Sequence, residues 1–260
     1  VIPTGEIKPG VRTPKVWKAE PVSAAFDRDN ALALEGVANW LQLPDLPYTP
    51  GVAGAFVGVH DDALIIAGGT SLQQRDISDK KTWHDDIWIL TKNQDGTHKW
   101  ITGFTLDKPL ANGAAVSTDQ GLVCLGGNDS ERSYAEAFIL SWNKKTQSLD
   151  RRKLPNLPRA CAHTSAALIK SNTKGTIYMA GGQMGPDPDT AMKNFWALDL
   201  SKESRDLDSL KWQELLPWPS SPRSSNLTIS QHNGTADCIY IISRQGTDTD
   251  QSASGPAKLL

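Results

Sequence analysis

An all-β propeller is the fold that the sequence predicts, on three observations. An apolar strand ending in a double glycine recurs as Leu64-Ile65-Ile66-Ala67-Gly68-Gly69, Leu122-Val123-Cys124-Leu125-Gly126-Gly127 and Ile177-Tyr178-Met179-Ala180-Gly181-Gly182. The repeats are spaced by 58 and 55 residues, close to the period of a four-stranded propeller blade. Nine Trp stand against five Phe in 260 residues, which suggests a Trp placed once or twice per repeat.

The repeat is of the kelch type, and each unit reads as four short strands. In the first full unit these fall near residues 54–60, 63–69, 86–90 and 99–105, with Asp61-Asp62 as the tight turn between the first two. Val, Ile, Trp and Phe enrich them, as a half-buried pleated surface prefers. The glycines close the second strand, where blades crowd the central axis and a side chain would clash. Trp40, Trp100 and Trp212 fall near outer strands, where a large ring can wedge between blades. The connectors Leu43-Pro44-Asp45-Leu46-Pro47, Leu154-Pro155-Asn156-Leu157-Pro158 and Trp218-Pro219-Ser220-Ser221-Pro222 stop the sheets with proline. Weaker echoes flank the three repeats: Val1-Ile2-Pro3-Thr4-Gly5 with one glycine lost, and Ile239-Tyr240-Ile241-Ile242-Ser243-Arg244 with both lost. Residues 1–260 thus read as a single propeller domain with blades near 1–47 (partial), 48–106, 107–153, 154–216 and 217–260 (partial). About seventeen strands are present where a six-bladed ring has twenty-four. The expectation is about four blades' worth of a six-bladed ring, a fragment of a longer protein with one contiguous segment absent between Leu260 and Val1.

Bulk properties narrow the partners. With 27 basic and 29 acidic residues the formal net charge is −2, which supplies no long-range attraction to nucleic acid or anionic lipid. No apolar run is long enough to span a membrane. Cys124, Cys161 and Cys238 follow no zinc-ligand spacing, and no disulfide is expected among them.

In a four-stranded meander the loop after the second strand and the connector to the next blade emerge on one face, around the mouth of the central channel. Propellers bind ligands there. The polar residues expected on that face are Glu6, Lys8, Arg12, Asn128, Asp129, Glu131 and Arg132 after second strands, with loops 70–85 and 183–192. On the connectors they are Asn112, Arg159, His163, Arg223 and Asn226. The segment Gly5-Glu6-Ile7-Lys8-Pro9-Gly10-Val11-Arg12-Thr13-Pro14 stands out, because two glycines and two prolines stiffen a loop that carries a carboxylate and a guanidinium six positions apart. A stiff loop can aim both groups at one point, as preorganised catalysis requires. It can equally hold a Glu–Arg pair that braces a turn.

This segment, continued by Val16-Trp17, resembles the corresponding segment of the kelch-type N-acetylneuraminate (sialic acid) mutarotases, also called epimerases. Gly51-Val52-Ala53-Gly54-Ala55-Phe56-Val57-Gly58 is similar to the blade that follows it there. Trp83-His84-Asp85-Asp86-Ile87-Trp88, Gly121 through Asp129 and Leu157-Pro158-Arg159-Ala160-Cys161-Ala162 resemble that family's cyclically permuted branch. The resemblance implies that Glu6 and Arg12 are the catalytic residues, and it implies a periplasmic or other extracytoplasmic location. It departs from the family at Asn112, where the permuted branch tends to have Tyr, and at His163, where it tends to have Asn. The order also differs, since the permuted branch carries the Glu/Arg segment at its C-terminal end.

The implied activity is a carbohydrate isomerase that interconverts sialic acid anomers, with a small-molecule sugar as partner. Mutarotation opens and recloses a hemiketal, so a carboxylate can take the anomeric hydroxyl proton. A guanidinium can grip the sugar's own carboxylate through two parallel hydrogen bonds. No metal and no organic cofactor is required. Arg159, His163, Asn112, Asn128 and Asp129 are the further candidate substrate-binding residues. His84, between Trp83 and Asp85, suggests a metal or acid–base role, or a loop residue that pairs with a neighbouring carboxylate. The alternative reading of the whole chain is a kelch protein-interaction module without catalysis, since fold alone does not fix function.

Overall fold

The computed structural model describes residues 5–8, 11–21, 38–73, 80–171, 174–200 and 207–242. It is a kelch-type β-propeller arc. Blade one supplies β1 (Gly5–Lys8), β2 (Val11–Thr13), β3 (Val16–Pro21) and β4 (Ala38–Leu43). Blade two holds β5 (Phe56–His60), β6 (Ala63–Ala67), β7 (Thr70–Gln73), β8 (Lys80–Trp83), β9 (Asp86–Lys92) and β10 (His98–Thr105). Blade three is β11 (Ala114–Thr118), β12 (Gly121–Leu125), β13 (Ala137–Asn143) and β14 (Ser148–Leu154). Blade four is β15 (Ser165–Ser171), β16 (Lys174–Ala180), β17 (Phe195–Asp199) and β18 (Trp212–Glu214), and blade five is β19 (Leu227–His232) with β20 (Asp237–Ile242). Blades two, three and four are each a four-stranded antiparallel meander, in the order β5-β6-β9-β10, β11-β12-β13-β14 and β15-β16-β17-β18. Their innermost strands β5, β11 and β15 and the first strand of blade five, β19, lie side by side in that order. Among the described residues no strand pairs the β19–β20 sheet with the β3–β4 sheet. The strand expected over Val1–Thr4 lies outside the described residues.

The core sits between blades, and the period-2 alternation of strands explains how. On β6 every residue is buried, but successive side chains serve different neighbours. Leu64 and Ile66 join Val16 and Leu43 of blade one, while Ile65 joins Leu122, Phe138 and Leu140 of blade three. On β12, Val123 and Leu125 turn the other way to meet Ile177, Met179 and Trp196 of blade four. The outer-strand tryptophans behave as expected at two places of three. Trp100 Nε1 donates to the Pro44 carbonyl at 3.1 Å, and Trp212 Nε1 donates to the Pro155 carbonyl at 2.9 Å. Each indole thereby ties an outer strand to the connector that precedes its own blade. Trp40 on β4 is 55% exposed instead.

Asp61 and Asp62 take φ of 45° and 60°, the pair of left-handed residues that a tight two-residue hairpin needs. Two expected loops are corrected. Thr70–Gln73 pairs with Lys80–Trp83, and Gly5–Lys8 pairs with Val11–Thr13, so the described parts of both segments are antiparallel ribbons, β7 with β8 and β1 with β2.

Candidate functional site

The backbone at the glycine-marked face repeats from blade to blade. Gly69, Gly127 and Gly182 each donate to the connector of the following blade, at Leu110, Cys161 and Arg223. Those connector residues donate back to the carbonyls of His84, Tyr134 and Met192, whose own N–H groups bond Gly69, Gly127 and Gly182. The first glycine of each pair, at φ of 63–66°, would push a Cβ into the Leu110, Cys161 or Arg223 carbonyl region. Left-handed backbone and close approach both demand glycine here.

Inside this frame runs a collar of four left-handed residues, Gly54, Asn112, His163 and Ser225, with φ of 68°, 59°, 51° and 54°. Asn112 N–H donates to the Gly54 carbonyl, His163 N–H to that of Asn112 and Ser225 N–H to that of His163, each at 2.7 Å. Next to the collar stand the residues that follow the second glycine. Thr70, Asn128 and Gln183 pair with Ala53, Ala111 and Ala162, and their ribbon or turn partners are Trp83, Ser133 and Ala191.

Glu6 and Arg12 fit the same register. Glu6 follows Gly5, and β1 pairs it directly with Arg12. An independent bond fixes the alignment: Leu46 N–H donates to the Pro14 carbonyl, as Leu106 does to Asp85 and Leu157 to Ala135. Pro14 therefore matches Asp85 and Ala135, and Arg12 matches Trp83 and Ser133. Opposed positions of an antiparallel ladder share one face of the ribbon. The strand β2 lies against β7 of the next blade.

The other three members of this ring are committed to protein groups. Thr70 Oγ1 donates to the Ala53 carbonyl at 3.3 Å. Asn128 Oδ1 accepts from Asn112 Nδ2 at 2.9 Å. Gln183 Nε2 donates to the Gly185 carbonyl at 2.8 Å. Asp129 shapes its own turn, accepting the N–H groups of Glu131 and Arg132 and the Tyr134 hydroxyl. Burial works upward on its carboxyl, but these bonds and the Arg132 charge outweigh it and hold the pKa below the usual carboxylate value.

Other sequence expectations are corrected. Arg159 does not join the collar: its Nη2 reaches Glu214 Oε1 on the outer strand β18 at 2.9 Å, and its guanidinium lies 5.5 Å from the Trp196 ring centroid. Arg223 follows a proline as Arg159 does, yet the repeated bonds align it with Cys161 and Leu110, two positions further along the connector. Asn226 is buried, and its Nδ2 donates to the Ala180 carbonyl at 3.0 Å. His84 meets its expectation in part: it lies in the loop between β8 and β9 with Nδ1 3.9 Å from Asp86 Oδ2, but it is only 8% exposed and its Nε2 is 2.8 Å from Ser71 Oγ. Cys124, Cys161 and Cys238 are free thiols, and burial pushes that of Cys161 up to about 12.

Sequence reasoning passes over Lys81 and Ser225. Lys81 Nζ on β8 sits 4.6 Å above the Trp83 ring. The pKa of half-buried His163 is lowered by burial first and by the Lys81 charge second. A cleft of about 1080 Å³ opens among the strand-one/strand-two turns at His60–Asp62 and Thr118–Asp119. Two of its four lysines, Lys144 and Lys170, are paired with Asp62 and Asp119 at 2.8 and 2.9 Å, and we place the candidate site at the glycine-marked mouth, where the Glu6–Arg12 pair lies in register.

No protein-family model matches the chain. It is 32% identical over 165 residues to an N-acetylneuraminate epimerase of Brucella melitensis biotype 1, covering 56% of this chain and 38% of that protein. It is 31% identical over 160 residues to an N-acetylneuraminate epimerase of Yersinia enterocolitica, covering 55% and 36%. The chain thus spans less than two-fifths of these curated relatives. Among solved structures, YjhT aligns with 88% of this chain and 69% of its own at a TM-score of 0.55 and 15% identity, a likeness of fold.

Proposed function

We propose that the protein interconverts the anomers of N-acetylneuraminate, or of a closely related sugar acid, by acid–base ring opening. The observation that carries this reading is the register of the β1–β2 ribbon, which makes Glu6 and Arg12 direct partners at the ring position where the other blades carry uncharged residues. The similarity to N-acetylneuraminate epimerases supports it. In this mechanism the Glu6 carboxylate removes the proton of the anomeric hydroxyl as the ring carbon–oxygen bond breaks. Arg12 grips the substrate carboxylate with its planar fork and fixes which oxygen faces Glu6. Bond rotation in the open ketone and reclosure on the other face return the proton from Glu6. The test is anomer exchange of N-acetylneuraminate followed by NMR on the full-length protein. Glu6→Gln should slow exchange by ~10²–10⁴-fold. Arg12→Lys keeps the charge and loses the fork, so KM should rise before kcat falls. Wild-type exchange no faster than the spontaneous background would replace this reading by a protein-interaction module.

A further inference from the structure

Left-handed backbone costs an ordinary residue free energy that glycine avoids, and strain of that kind collects at functional sites. Gly54 meets the collar geometry without cost. Asn112 has a structural reason to be there, since its amide bonds Asn128 and asparagine adopts this conformation readily. His163 also enters this conformation more readily than most residues, but among the described residues its side chain has no partner that would hold it there. Its backbone N–H and carbonyl bond Asn112 and Ser225, which a glycine would do equally well. Its half-buried ring makes no hydrogen bond among the described residues. Its place in the collar sets it between Asn112 and Ser225 at the glycine-marked mouth, and the charge of Lys81 on β8 adds to burial in lowering its pKa. Arg159 on the same connector is turned to Glu214, Arg223 on the next connector bonds Ser220, and the collar neighbours Asn112 and Ser225 are uncharged.

We propose that His163 is the acid–base group for the ring oxygen, the second proton-transfer site that anomer exchange needs beside Glu6; this rests on the function proposed above. As Glu6 takes the anomeric hydroxyl proton, the ring carbon–oxygen pair moves to the ring oxygen, which takes a proton from the His163 imidazolium. The open ketone then faces a protonated Glu6 and a neutral His163. On reclosure the sugar hydroxyl gives its proton back to His163, and the new anomeric oxygen takes the proton from Glu6. Protons and electron pairs balance with no other reactant. The nearby Lys81 charge makes the imidazolium a stronger acid, which favours delivery to a weakly basic ether oxygen.

The test compares full-length wild type, His163→Gly and His163→Asn by NMR anomer exchange across pH, with thermal melting in parallel. His163→Gly should melt at or above the wild-type temperature, because the strained position is relieved. Both variants should lose ~10²-fold in kcat, and with it the limb on which wild-type activity falls as rising pH deprotonates the imidazole. Asparagine tolerates the backbone and can still hydrogen-bond, so near-wild-type exchange by His163→Asn would reduce His163 to a contact residue and overturn the proposal. A His163→Gly variant that fails to fold would make the ring structural and would overturn it equally. Wild type without exchange overturns this reading and the function together. Active wild type with undiminished variants overturns this one alone.

Discussion

Blades two and three leave their double glycines along the same backbone path and anchor the returning chain by different side chains. In blade two the returning residue is His84, bonded through Nε2 to Ser71 Oγ, which is 3.1 Å from the Tyr48 hydroxyl. In blade three it is Tyr134, whose hydroxyl donates to Asp129 Oδ2 and whose ring lies 3.9 Å from Lys108 Nζ. Both residues make the same two backbone bonds, to the second glycine and to the next connector. The frame therefore tolerates a long ribbon in one blade and a short turn in the other. What differs is burial: the Ser71–His84 pair is enclosed, whereas Asp129 and Tyr134 are partly open to water. The frame and its anchors are separable, so each can be broken without the other.

Breaking the shared part should cost most. Gly126→Ala places a methyl on the Cys161 carbonyl oxygen at φ 63°, where the neighbour is backbone and cannot rotate away. A loss of ~3 kcal/mol or more is expected, combining left-handed strain with overpacking. Gly96→Ala is the control: φ is 87°, but only Lys92 Cε comes near, at 3.9 Å. It should cost about 1 kcal/mol from backbone strain alone. Urea unfolding measures both, and equal losses would mean that the interblade approach is not what makes the double glycine necessary.

Breaking the unlike part should separate the blades. His84→Ala deletes a buried ring and one of the two hydrogen-bond partners of Ser71 Oγ, for an expected loss of ~2–4 kcal/mol. Tyr134→Phe keeps the ring under Lys108 and deletes one hydroxyl that water can replace at Asp129, for about 1 kcal/mol. If the two changes cost the same in urea unfolding, burial does not distinguish the anchors.

The frame is legible in the sequence because its signals are local. Double glycines mark the strand ends, and apolar runs place β6, β12 and β16 between them. Prolines mark the connectors that Trp100 and Trp212 grip. The ribbons are not legible. Thr70-Ser71-Leu72-Gln73 and Gly5-Glu6-Ile7-Lys8 are too short and too polar to show a buried face, and glycines and prolines around Glu6 read as loop. Arg159 is misplaced by sequence because connectors differ in length: proline precedes both Arg159 and Arg223, yet the hydrogen bonds shift the second by two positions. Of the collar, Asn112 and His163 stand out as polar connector residues. Ser225 does not, since a left-handed serine has no compositional mark. Glu6 and Arg12 are read from their resemblance, and what the structure adds to them is their register.

The smallest expected effect sharpens the comparison most, because the two anchors titrate in different pH windows. Burial holds the His84 pKa below the ordinary imidazole value, against the opposing pull of Asp86 and Asp85. His163 is displaced in the same direction by burial and Lys81. A histidine depressed in the folded state binds protons more readily when unfolded. Stability from these groups is thus fully present above the unfolded pKa of about 6.5 and declines as pH falls below it. Asp129 is depressed too, but a carboxylate depressed in the folded state contributes above its unfolded pKa of about 3.9 and loses that contribution only in more acid solution. Exposed Asp62 and Asp95 share that lower window. The urea midpoint of the wild type should therefore drop between pH 7.5 and 5.5. His84→Gln should flatten that drop, leaving the His163 part. Tyr134→Phe should run parallel to the wild type over this range and diverge only below about pH 4. A wild-type midpoint that held constant or rose as pH fell from 7.5 to 5.5 would show that His84 is not held neutral by its enclosure, and the two anchors would then differ in geometry but not in electrostatics.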